Sequence, residues 1–575
     1  MNLVFDIETD DLKATKIHCI VAQDVDTKEI YKFPPNKLEE GYNLLQSADK
    51  LIGHNIIGFD IPMVEKFGDV KLTHKIVDTL VLSRLFNPMR EGGHSLESWG
   101  YRLKLPKIEF EEYTQYSNDM LVYCTRDVQL NTLVLEKLKR ESKGFSQQSV
   151  ALEQEVARIL KQQETDGFLF DDKKAELLLA ELREKMNIIE DEVHEVFKPK
   201  LIDLKEVNPK LKQDGTLSKQ GLTDEEYQER LYTDDITPFT RRKIQEFNLG
   251  SRKQIGEYLI EFGWKPKKFT PTGQPIVDEK TLANIKKIPE ARLIAKFLLL
   301  QKRIAQIDSW FEAQQKDKRV HGFVIPNGTI TGRMAHRNPN MAQVPSIKSP
   351  YGKECRSCWQ VEDGYKLIGI DASGLELRML AHYMNDEEFT NEIINGDIHT
   401  FNQKLAGLES RDQAKTFIFA LIYGAGDRKL GSVVGGSATE GRRLRQHFFD
   451  NKPSFKTLGD KVRRASTKKY LKGLDGRKIF IRHPHASLNT LLQGGGSIVM
   501  KRALAILDSL LSLQSLDAKF VANIHDEWQM EVREDITDFV GQLAVDCIKT
   551  AGNYYNLRCP MDGEYKVGRN WSETH

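Results

Sequence analysis

The sequence feature that most constrains the fold is a stripe of four side chains in the segment RDQAKTFIFALIYGAG. The members of the stripe are Arg411, Lys415, Phe419 and Tyr423. Because they recur at every fourth position, an α-helix would place all of them on one face. The two cations match a triphosphate, and the two aromatic rings match a sugar and a base. The alternative interpretation is an ordinary amphipathic helix, in which the aromatic rings belong to the core and the Arg and Lys side chains extend past it into solvent.

Acidic residues flank this helix in the sequence. The segment YKLIGIDASGLELRMLAH predicts a strand that ends at Asp371, a tight turn over residues 372–374 and then a helix. The segment KFVANIHDEWQMEV contains two β-compatible runs separated by His525, Asp526 and Glu527, which predicts a hairpin with acids at its tip. Asp371 and Asp526 could therefore meet in one site, although a charged surface turn is the alternative for the hairpin tip taken alone.

A further set of acids lies near the start of the chain. Asp6 and Glu8 in LVFDIETD are two residues apart on a predicted strand, so the pleat points both side chains to one face. Asp60 follows in NIIGFD, and Tyr123 and Asp127 fall one helical turn apart. Like charges that share a buried site favour a neutralising cation, and carboxylate oxygens suit Mg²⁺ or Mn²⁺. Ordinary surface acids are the alternative for Asp6 and Glu8 alone.

The composition predicts a multidomain globular protein. The chain has 575 residues, 40% of them hydrophobic, which argues against disorder and predicts several domains. Lys and Arg number 84 against 83 Asp and Glu, so the net charge gives no signal for a polyanionic partner. No apolar run reaches the roughly 18 to 20 residues of a membrane helix, and the N-terminus has no basic start. We expect a cytoplasmic protein without membrane association.

The cysteines predict reduced thiols rather than a metal site. Only Cys355 and Cys358, among six cysteines, have the C-x-x-C spacing of metal ligands. Neither a second pair nor a histidine lies near them in the sequence, so a metal is the less favoured alternative.

Periodicity divides the chain into segments of different character. Residues 1 to about 145 alternate β-rich and helical runs, which predicts an α/β domain. Residues 150 to 195 favour two long antiparallel helices. The stretch from Lys198 to Lys219 has six lysines against three acids, with two prolines and a glycine, and it is predicted to be an exposed basic loop or simply a solvated one.

Taken in order, these motifs resemble those of the family A DNA polymerases, the bacterial polymerase I class, and most closely the replicative polymerases of short-tailed phages. DASGLELR resembles motif A, RDQAKTFIFALIYG motif B, and HDE motif C. The four N-terminal acids with Tyr123 resemble the tyrosine-bearing DEDD-type 3′-to-5′ exonucleases. The resemblance covers essentially the whole chain and implies an α/β multidomain fold, with an RNase H-like exonuclease domain and a right-hand polymerase domain of palm, fingers and thumb.

The resemblance also implies domain boundaries and partners. The boundaries are residues 1–147 for the exonuclease, 148–320 for the thumb with a basic insertion at about 198–247, 321–384 for the first part of the palm with motif A, 385–465 for the fingers with motif B, and 466–575 for the second part of the palm with motif C. The expected partners are primer-template DNA and dNTPs, with a phage helicase-primase and a single-stranded DNA-binding protein as further candidates. The short insertion disfavours thioredoxin, which some phage relatives capture there, and a monomer in the host cytoplasm is expected. A separate 5′ nuclease domain is not expected, because Asp6 and Glu8 already open the proofreading domain.

Roles in catalysis follow from the same resemblance. Asp371 and Asp526, with the Ala372 carbonyl, would hold two Mg²⁺ ions, for which Mn²⁺ can substitute. Asp6, Glu8, Asp60 and Asp127 would hold two more, while Tyr123 would orient the attacking water. The implied catalytic set also includes Glu527 and Lys415, the latter as a proton donor to pyrophosphate.

Nucleotide and DNA contacts are implied as well. The nucleotide-binding residues would be Arg411, Lys415, Phe419, Tyr423, Glu376, His399 and Ala372, with Glu376 as a steric gate that favours deoxynucleotides. The DNA-binding residues would be Arg333, Thr331, Asn340, Gln343, Asn489, Gln493, His525, Lys302 and Arg303. Arg333 and Gln493 would contact minor-groove acceptors that all correct base pairs share. Ordinary solvation is nearly as favoured for Lys302 and Arg303, and His485 stands where bacterial relatives have arginine, which leaves one contact open.

Three other functions are less consistent with the sequence. A single-subunit RNA polymerase conflicts with Glu376 at the gate, with Phe419 on the stripe and with the attached exonuclease. An inactive nucleic-acid-binding relative would have lost metal ligands, yet all six carboxylates are present. A nuclease alone would leave the stripe of residues 411–423 unexplained.

Overall fold

The computed structural model describes residues 1–575, which divide into two compact units. Unit 1 comprises Met1–Asp171 and Ala313–His575, and unit 2 comprises Asp172–Glu312. The expected thumb, residues 148–320, thus contains all of unit 2, and its first residues belong to unit 1. None of the helices carries an apolar stretch long enough to cross a bilayer.

The N-terminal part of unit 1 is an α/β layer structure, as predicted. Its elements are β1 (Asn2–Thr9), β2 (Ile17–Asp24), β3 (Ile30–Phe33), α1 (Leu38–Gln46), β4 (Lys50–Gly53), α2 (Asp60–Gly68), β5 (Lys75–Asp78), α3 (Thr79–Phe86), α4 (Leu96–Leu103), α5 (Asn118–Glu141), α6 (Gln147–Asp166) and β6 (Phe168–Phe170). The sheet has the order β3-β2-β1-β4-β5, with β1 antiparallel to β2 and parallel to β4. Leu3, Phe5 and Ile7 of β1 enter the core on one face, while Val4 packs with Cys124 and Val128 of α5 on the other.

Unit 2 corrects one prediction. Its elements are α7 (Asp172–Val196), β7 (Lys200–Val207), α8 (Asp224–Thr233), β8 (Phe239–Gln245), α9 (Arg252–Glu261), α10 (Glu279–Ala283) and α11 (Glu290–Ala313). The stretch from Lys198 to Lys219 is therefore not a simple loop, because β7 pairs antiparallel with β8. Cross-strand neighbours such as Leu201 and Ile244, and the ion pair of Arg242 with Asp203 at 2.9 Å, stabilise this ribbon.

The C-terminal part of unit 1 is built on a four-stranded antiparallel sheet. Its elements are β9 (Arg319–Val320), β10 (Phe323–Ile325), β11 (Ala335–Arg337), α12 (Gly352–Ser357), β12 (Trp359–Gln360), β13 (Tyr365–Ala372), α13 (Leu375–Met384), α14 (Glu387–Asn395), α15 (Ile398–Ala406), α16 (Arg411–Ile422), α17 (Asp427–Gly431), α18 (Ala438–Asn451), α19 (Pro453–Ala465), β14 (Tyr470–Lys472), β15 (Lys478–Phe480), α20 (Ser487–Leu513), β16 (Ala518–Ile524), β17 (Glu527–Arg533), α21 (Thr537–Tyr554) and β18 (Gly563–Gly568). The sheet has the order β16-β17-β13-β18. The predicted strand before Asp371, the helix after it and the predicted hairpin around Asp526 are confirmed.

A buried ion network joins the two parts of unit 1. Glu153 of α6 accepts hydrogen bonds from Arg477 at 2.5 Å and from Lys501 of α20 at 2.6 Å. Arg477 also donates to Asp475 at 2.7 Å, and all four side chains are buried. Charges removed from water are tolerated only when they are paired in this way. The network therefore fixes α6 against the β14–β15 hairpin and α20.

Candidate active sites

The first acidic site consists of Asp6, Glu8, Asp60 and Asp127 with Tyr123. On β1, Asp6 and Glu8 have the same parity as Val4, which packs against α5, so their side chains face that helix. Tyr123 and Asp127 lie one turn apart on α5, which brings them to the same face of the sheet. The topology thus brings together acids that are more than 100 residues apart in the sequence.

The remaining acid, Asp60, follows the loop between β4 and α2. Asp60 is the first residue of α2, and its carboxylate accepts a hydrogen bond from the Ile7 backbone N–H at 3.2 Å. Asn55 turns the loop with a φ of 68° and donates its backbone N–H to Asp78 at 3.0 Å. These bonds fix Asp60 beside β1, so its position does not depend on a flexible loop.

The electrostatics of the first acidic site favour a cation. Burial, together with Asp60 and Glu8, raises the pKa of Asp6 well above its usual range. Burial raises the pKa of Glu8 to about 9 and that of Asp60 to about 7. Carboxylates with raised pKa values are costly to ionise together, and a bound cation removes that cost.

A lysine lies inside this site. The Lys107 ammonium is 2.6 Å from Oδ2 of Asp127 and 4.7 Å from the centre of the Tyr123 ring. Oδ1 of Asp127 is buried and has no hydrogen-bond partner. Phe110 stacks on Tyr123 at 5.3 Å between ring centres, and Tyr113 meets the same ring edge-on at 6.2 Å. The Tyr123 ring is thus held by one cation and two aromatic neighbours.

The second acidic site consists of Asp371 and Asp526. Asp371 lies on β13 directly opposite Glu527 of β17, and Asp526 precedes β17 in the hairpin turn. The Ala372 backbone N–H donates to the Asp526 carbonyl at 3.2 Å, and His525 makes the turn with a φ of 59°. Burial, and then the charge of Asp526, raises the pKa of Asp371 to about 7. The two acids therefore face each other closely enough to repel.

Glu527 is bound by the C-terminal residues. Its carboxylate accepts hydrogen bonds from Trp571 at 2.8 Å, from Gln529 at 2.6 Å and from His575 at 2.9 Å. Burial alone would raise the pKa of Glu527, but the contacts from His575 and Trp571 lower it. Trp571 and His575 of the segment GRNWSETH thus anchor the start of β17, the strand that follows Asp526.

The stripe on α16 begins at a well-capped helix N-terminus. Ser410 and Gln413 form a reciprocal capping box there, which fixes where the helix starts. Arg411 donates to Asp397 at 2.7 Å, so one of the two predicted triphosphate cations has an acidic partner in this structure. Lys415 is exposed one turn further along. Asp397 was not predicted as a member of the site.

The aromatic end of the stripe contacts the predicted gate. Phe419 lies 6.4 Å from the Tyr423 ring and 6.4 Å from the His399 ring. The Tyr423 hydroxyl donates to Glu376 at 3.0 Å, and Arg333 donates to the same carboxylate at 3.4 Å. Burial and Glu376 raise the pKa of Tyr423 to about 12, so this hydroxyl stays protonated. Motif A and motif B are therefore linked through Glu376.

The predicted DNA contacts are distributed over both units. Those in unit 1 are Thr331, Arg333, Asn340, Gln343, Asn489, Gln493 and His525. Asn489 and Gln493 are one turn apart on α20, and Oδ1 of Asn489 is buried without a partner. In unit 2, Lys302 is exposed, but Arg303 is buried and donates to Gln306 at 2.9 Å. The burial of Arg303 does not fit the expected contact with duplex phosphates.

Comparison with known protein families shows to which family this chain belongs. The sequence model of DNA polymerase family A matches residues 223–573. The chain belongs to DNA polymerase family A. This confirms the resemblance that the three motifs carried.

Two whole-length relatives of this family A polymerase come from phages. It is 33% identical to the DNA-directed DNA polymerase of Enterobacteria phage T3 and 32% identical to that of Escherichia phage T7, over 100% of both chains in each case. DNA polymerase I of Pseudomonas aeruginosa is 28% identical over 58% of this chain and 39% of its own length. The polymerase domain of Pol1 from M. smegmatis, solved with primer-template DNA and dNTP, has the same fold, with a TM-score of 0.81 at 17% identity over 100% of this chain and 96% of its own.

Sequence reasoning missed two residues beside the acids of this polymerase. Lys107 lies between α4 and α5 in a segment without periodicity, so no pattern pointed to it. Cys124 follows Tyr123 directly, and its thiol donates to the Asp6 carbonyl at 3.5 Å. The potential ligand atoms of Asp6, Glu8 and Cys124 all lie within 4.8 Å of one another, close enough to bind one metal ion. Cys355 and Cys358 are buried and form no disulfide.

Proposed function

We propose that this family A DNA polymerase adds deoxynucleotides to a primer 3′ end at the second acidic site and hydrolyses 3′-terminal nucleotides at the first. The observation that carries this proposal is the meeting of Asp371 and Asp526 at one end of the central strands β13 and β17. Glu376 of the adjoining helix α13 also accepts a hydrogen bond from Tyr423 of the stripe. A second cluster of four acids and a tyrosine supports a separate hydrolytic activity in the same chain.

The donor atoms at both sites fit divalent cations. The side-chain donors of the four acids at the first site and the two at the second are carboxylate oxygens, which Mg²⁺ and Mn²⁺ prefer. The unpartnered Oδ1 of Asp127 is an acceptor with no protein donor, as a metal ligand would be. Family A DNA polymerases generally use divalent metal ions, and Asp371 and Asp526 would hold them for synthesis, with Asp6, Glu8, Asp60 and Asp127 for hydrolysis. Such ions supply Lewis acidity to attacking and leaving oxygens.

At the polymerase site, the protein positions the substrates. Arg411, Lys415 and His399 would bind the triphosphate, which requires Arg411 to exchange Asp397 for phosphate oxygens. Phe419 and Tyr423 would pack against the sugar and the base. The Glu376 carboxylate, held by Tyr423 and Arg333, would fill the space that a 2′ hydroxyl needs.

At the exonuclease site, the Tyr123 hydroxyl would orient the attacking water. Its ring is immobilised by Lys107, Phe110 and Tyr113, so the hydroxyl has little freedom to reorient. Burial raises the pKa of Tyr123, which keeps the hydroxyl protonated and able to donate a hydrogen bond.

The test is extension and degradation of a labelled primer-template with Mg²⁺. We expect the wild type to do both, Asp526→Ala to degrade only, and the Asp6→Ala, Glu8→Ala double variant to extend only. Asp535→Ala, which changes an exposed acid paired with Arg533 beyond the other end of β17, is the matched control and should behave as wild type. Extension by Asp526→Ala at the wild-type rate would overturn the assignment of the polymerase site.

A ribonucleotide arm of the same assay separates the two polymerase classes. The wild type should extend with deoxynucleotides and reject ribonucleotides, and Glu376→Ala should admit them. Equal use of both nucleotide types by the wild type would favour an RNA polymerase instead.

A further inference from the structure

A lysine that belongs to none of the sequence motifs is built into the first acidic site. Lys107 Nζ lies 2.6 Å from Oδ2 of Asp127, whose side chain is only 4% exposed. The lysine side chain is itself only 25% exposed, and its ammonium also faces the Tyr123 ring at 4.7 Å. This contact is far more enclosed than the usual surface ion pair, so solvent screens it less.

The surrounding segment holds Lys107 in place. The segment between α4 and α5 has no helix or strand of its own, yet Arg126 donates to the Pro106 carbonyl at 3.2 Å. Further along, the ring of His18 is 3.0 Å from the Tyr113 carbonyl. Together with the stacking of Phe110 on Tyr123, these contacts anchor the segment on both sides of the lysine.

The two oxygens of Asp127 have different surroundings. Oδ2 is occupied by Lys107, whereas Oδ1 is buried without a partner. A fixed ammonium on one oxygen orients the other, but it also places a positive charge next to any cation that binds there. We expect the repulsion between this charge and a divalent ion on the same carboxylate to exceed the gain from orienting that carboxylate.

We propose that Lys107 is an internal counter-cation of the exonuclease site, which orients Asp127 and weakens the binding of divalent metal ions there. This inference rests on the proposed exonuclease function. In the metal-free protein, Lys107 offsets part of the repulsion among the four acids. The hydrolytic site then needs a higher metal concentration than it would without the lysine, so the residue limits excision. Lys107 acts here as a positioning residue.

The test measures Mn²⁺ binding directly. In a background that carries Asp526→Asn, to weaken the polymerase site, Lys107→Met should lower the Mn²⁺ dissociation constant of the exonuclease site about tenfold or more, measured by electron paramagnetic resonance of free Mn²⁺. Lys107→Arg keeps the charge and should stay within about threefold of the parent. Unchanged or weaker Mn²⁺ binding in Lys107→Met would overturn the proposal.

Controls separate this proposal from the function on which it rests. The Asp6→Ala, Glu8→Ala double variant should lose the Mn²⁺ site that Lys107→Met tightens. If the parent protein neither binds Mn²⁺ there nor degrades primers, the exonuclease function and this inference both fail. If it degrades primers while Lys107→Met leaves the affinity unchanged, only this inference fails. Circular dichroism of Lys107→Met shows whether it is folded, and if it is not, a dissociation constant more than about threefold different in Lys107→Arg overturns the proposal.

Discussion

Phe419 gives rise to a prediction about substrate choice. It is half-buried on α16, and its ring centre lies 6.4 Å from those of Tyr423 and His399. A tyrosine at this position would carry a hydroxyl that phenylalanine lacks. Phe419 therefore predicts discrimination against dideoxynucleotides, because the ring cannot replace the contact that the missing 3′ hydroxyl would make.

The substitution Phe419→Tyr should relax this discrimination. One added hydrogen bond of about 1.4 kcal/mol corresponds to about a tenfold change in the ratio of kcat/KM for normal and dideoxy nucleotides. Single-nucleotide extension measures this ratio, and Phe539→Tyr, at an exposed position on α21, is the control. Comparable extension with both nucleotide types by the wild type would contradict the prediction.

Asp371 predicts a stability that depends on pH. Its folded-state pKa of about 7 lies above the ordinary value of 3.8, so ionisation penalises the folded state as pH rises from about 4 to about 7. Asp371→Asn should therefore stabilise the metal-free protein at about pH 8 and have no such effect at about pH 4. Because the Asp371 side chain is exposed enough for solvent to screen part of the repulsion, we expect a gain of about 1–2 kcal/mol.

Thermal melting in EDTA at the two pH values measures this effect. Asp363→Asn is the control, because the Asp363 side chain is fully exposed and should matter at neither pH. An equal change for Asp371→Asn at both pH values would show that the raised pKa of Asp371 is not its cause.

At the residue scale, the sequence predicted the acids but not their neighbours. Asp6, Glu8 and Asp127 follow from strand and helix periods, which are local properties. Lys107 could not be predicted, because its position depends on how an irregular segment packs on α5. The partners of Glu527 are likewise non-local, since Trp571 lies 44 residues further along.

At the element scale, α6 depends on a buried carboxylate. Glu153→Gln would leave Arg477 and Lys501 without the charge that both contact. Breaking a buried pair costs about 3–5 kcal/mol, and we expect that loss of unfolding free energy in urea denaturation of unit 1. Glu155→Gln, two residues away on the same helix, removes a largely exposed pair with Arg158 and should cost less than about 1 kcal/mol. Equal losses in the two variants would contradict a structural role for the network.

Elements with one buried face were the easiest to predict. The strand before Asp371 and the helix of the stripe have clear periods and are confirmed. Strand β7 was predicted to be a loop because the stretch from Lys198 to Lys219 is rich in lysine and contains two prolines and a glycine. Its partner β8 begins more than 30 residues later, and such long-range pairing leaves no local signal.

At the scale of the whole molecule, we expect the insertion at 198–247 to contact DNA. It contains ten Lys and Arg and ten Asp and Glu, so it is not basic overall. Several of its cations are paired, for example Lys219 with Asp224 at 2.6 Å and Arg241 with Glu226 at 2.5 Å. The lysines without such an acidic partner are Lys205, Lys210, Lys212 and Lys243. Any contact of this segment with DNA should depend on them.

Substituting these four lysines by glutamine tests that expectation. Each phosphate contact contributes about 0.9 to the slope of log K against log salt concentration, so the slope should fall by about 2–4 in a primer-template titration. The control substitutes Lys198, Lys200, Lys219 and Arg242, which have acidic partners, and should change the slope by less than about 1. An unchanged slope in the first variant would mean that the segment does not contact the duplex.

The discontinuity of unit 1 has a consequence for biosynthesis. Residues 1–171 leave the ribosome about 400 residues before the chain ends, which at about 5–20 residues per second is a delay of about 20–80 s. Arg477 and Lys501 are synthesised only about 300 residues after residue 171, so for about 15–60 s of that interval the Glu153 carboxylate has neither partner and α6 cannot bury it. Unit 2 is continuous in sequence and can complete its own folding meanwhile. Slowed translation of the last 260 or so codons should therefore prolong protease sensitivity at α6 and leave unit 2 unaffected.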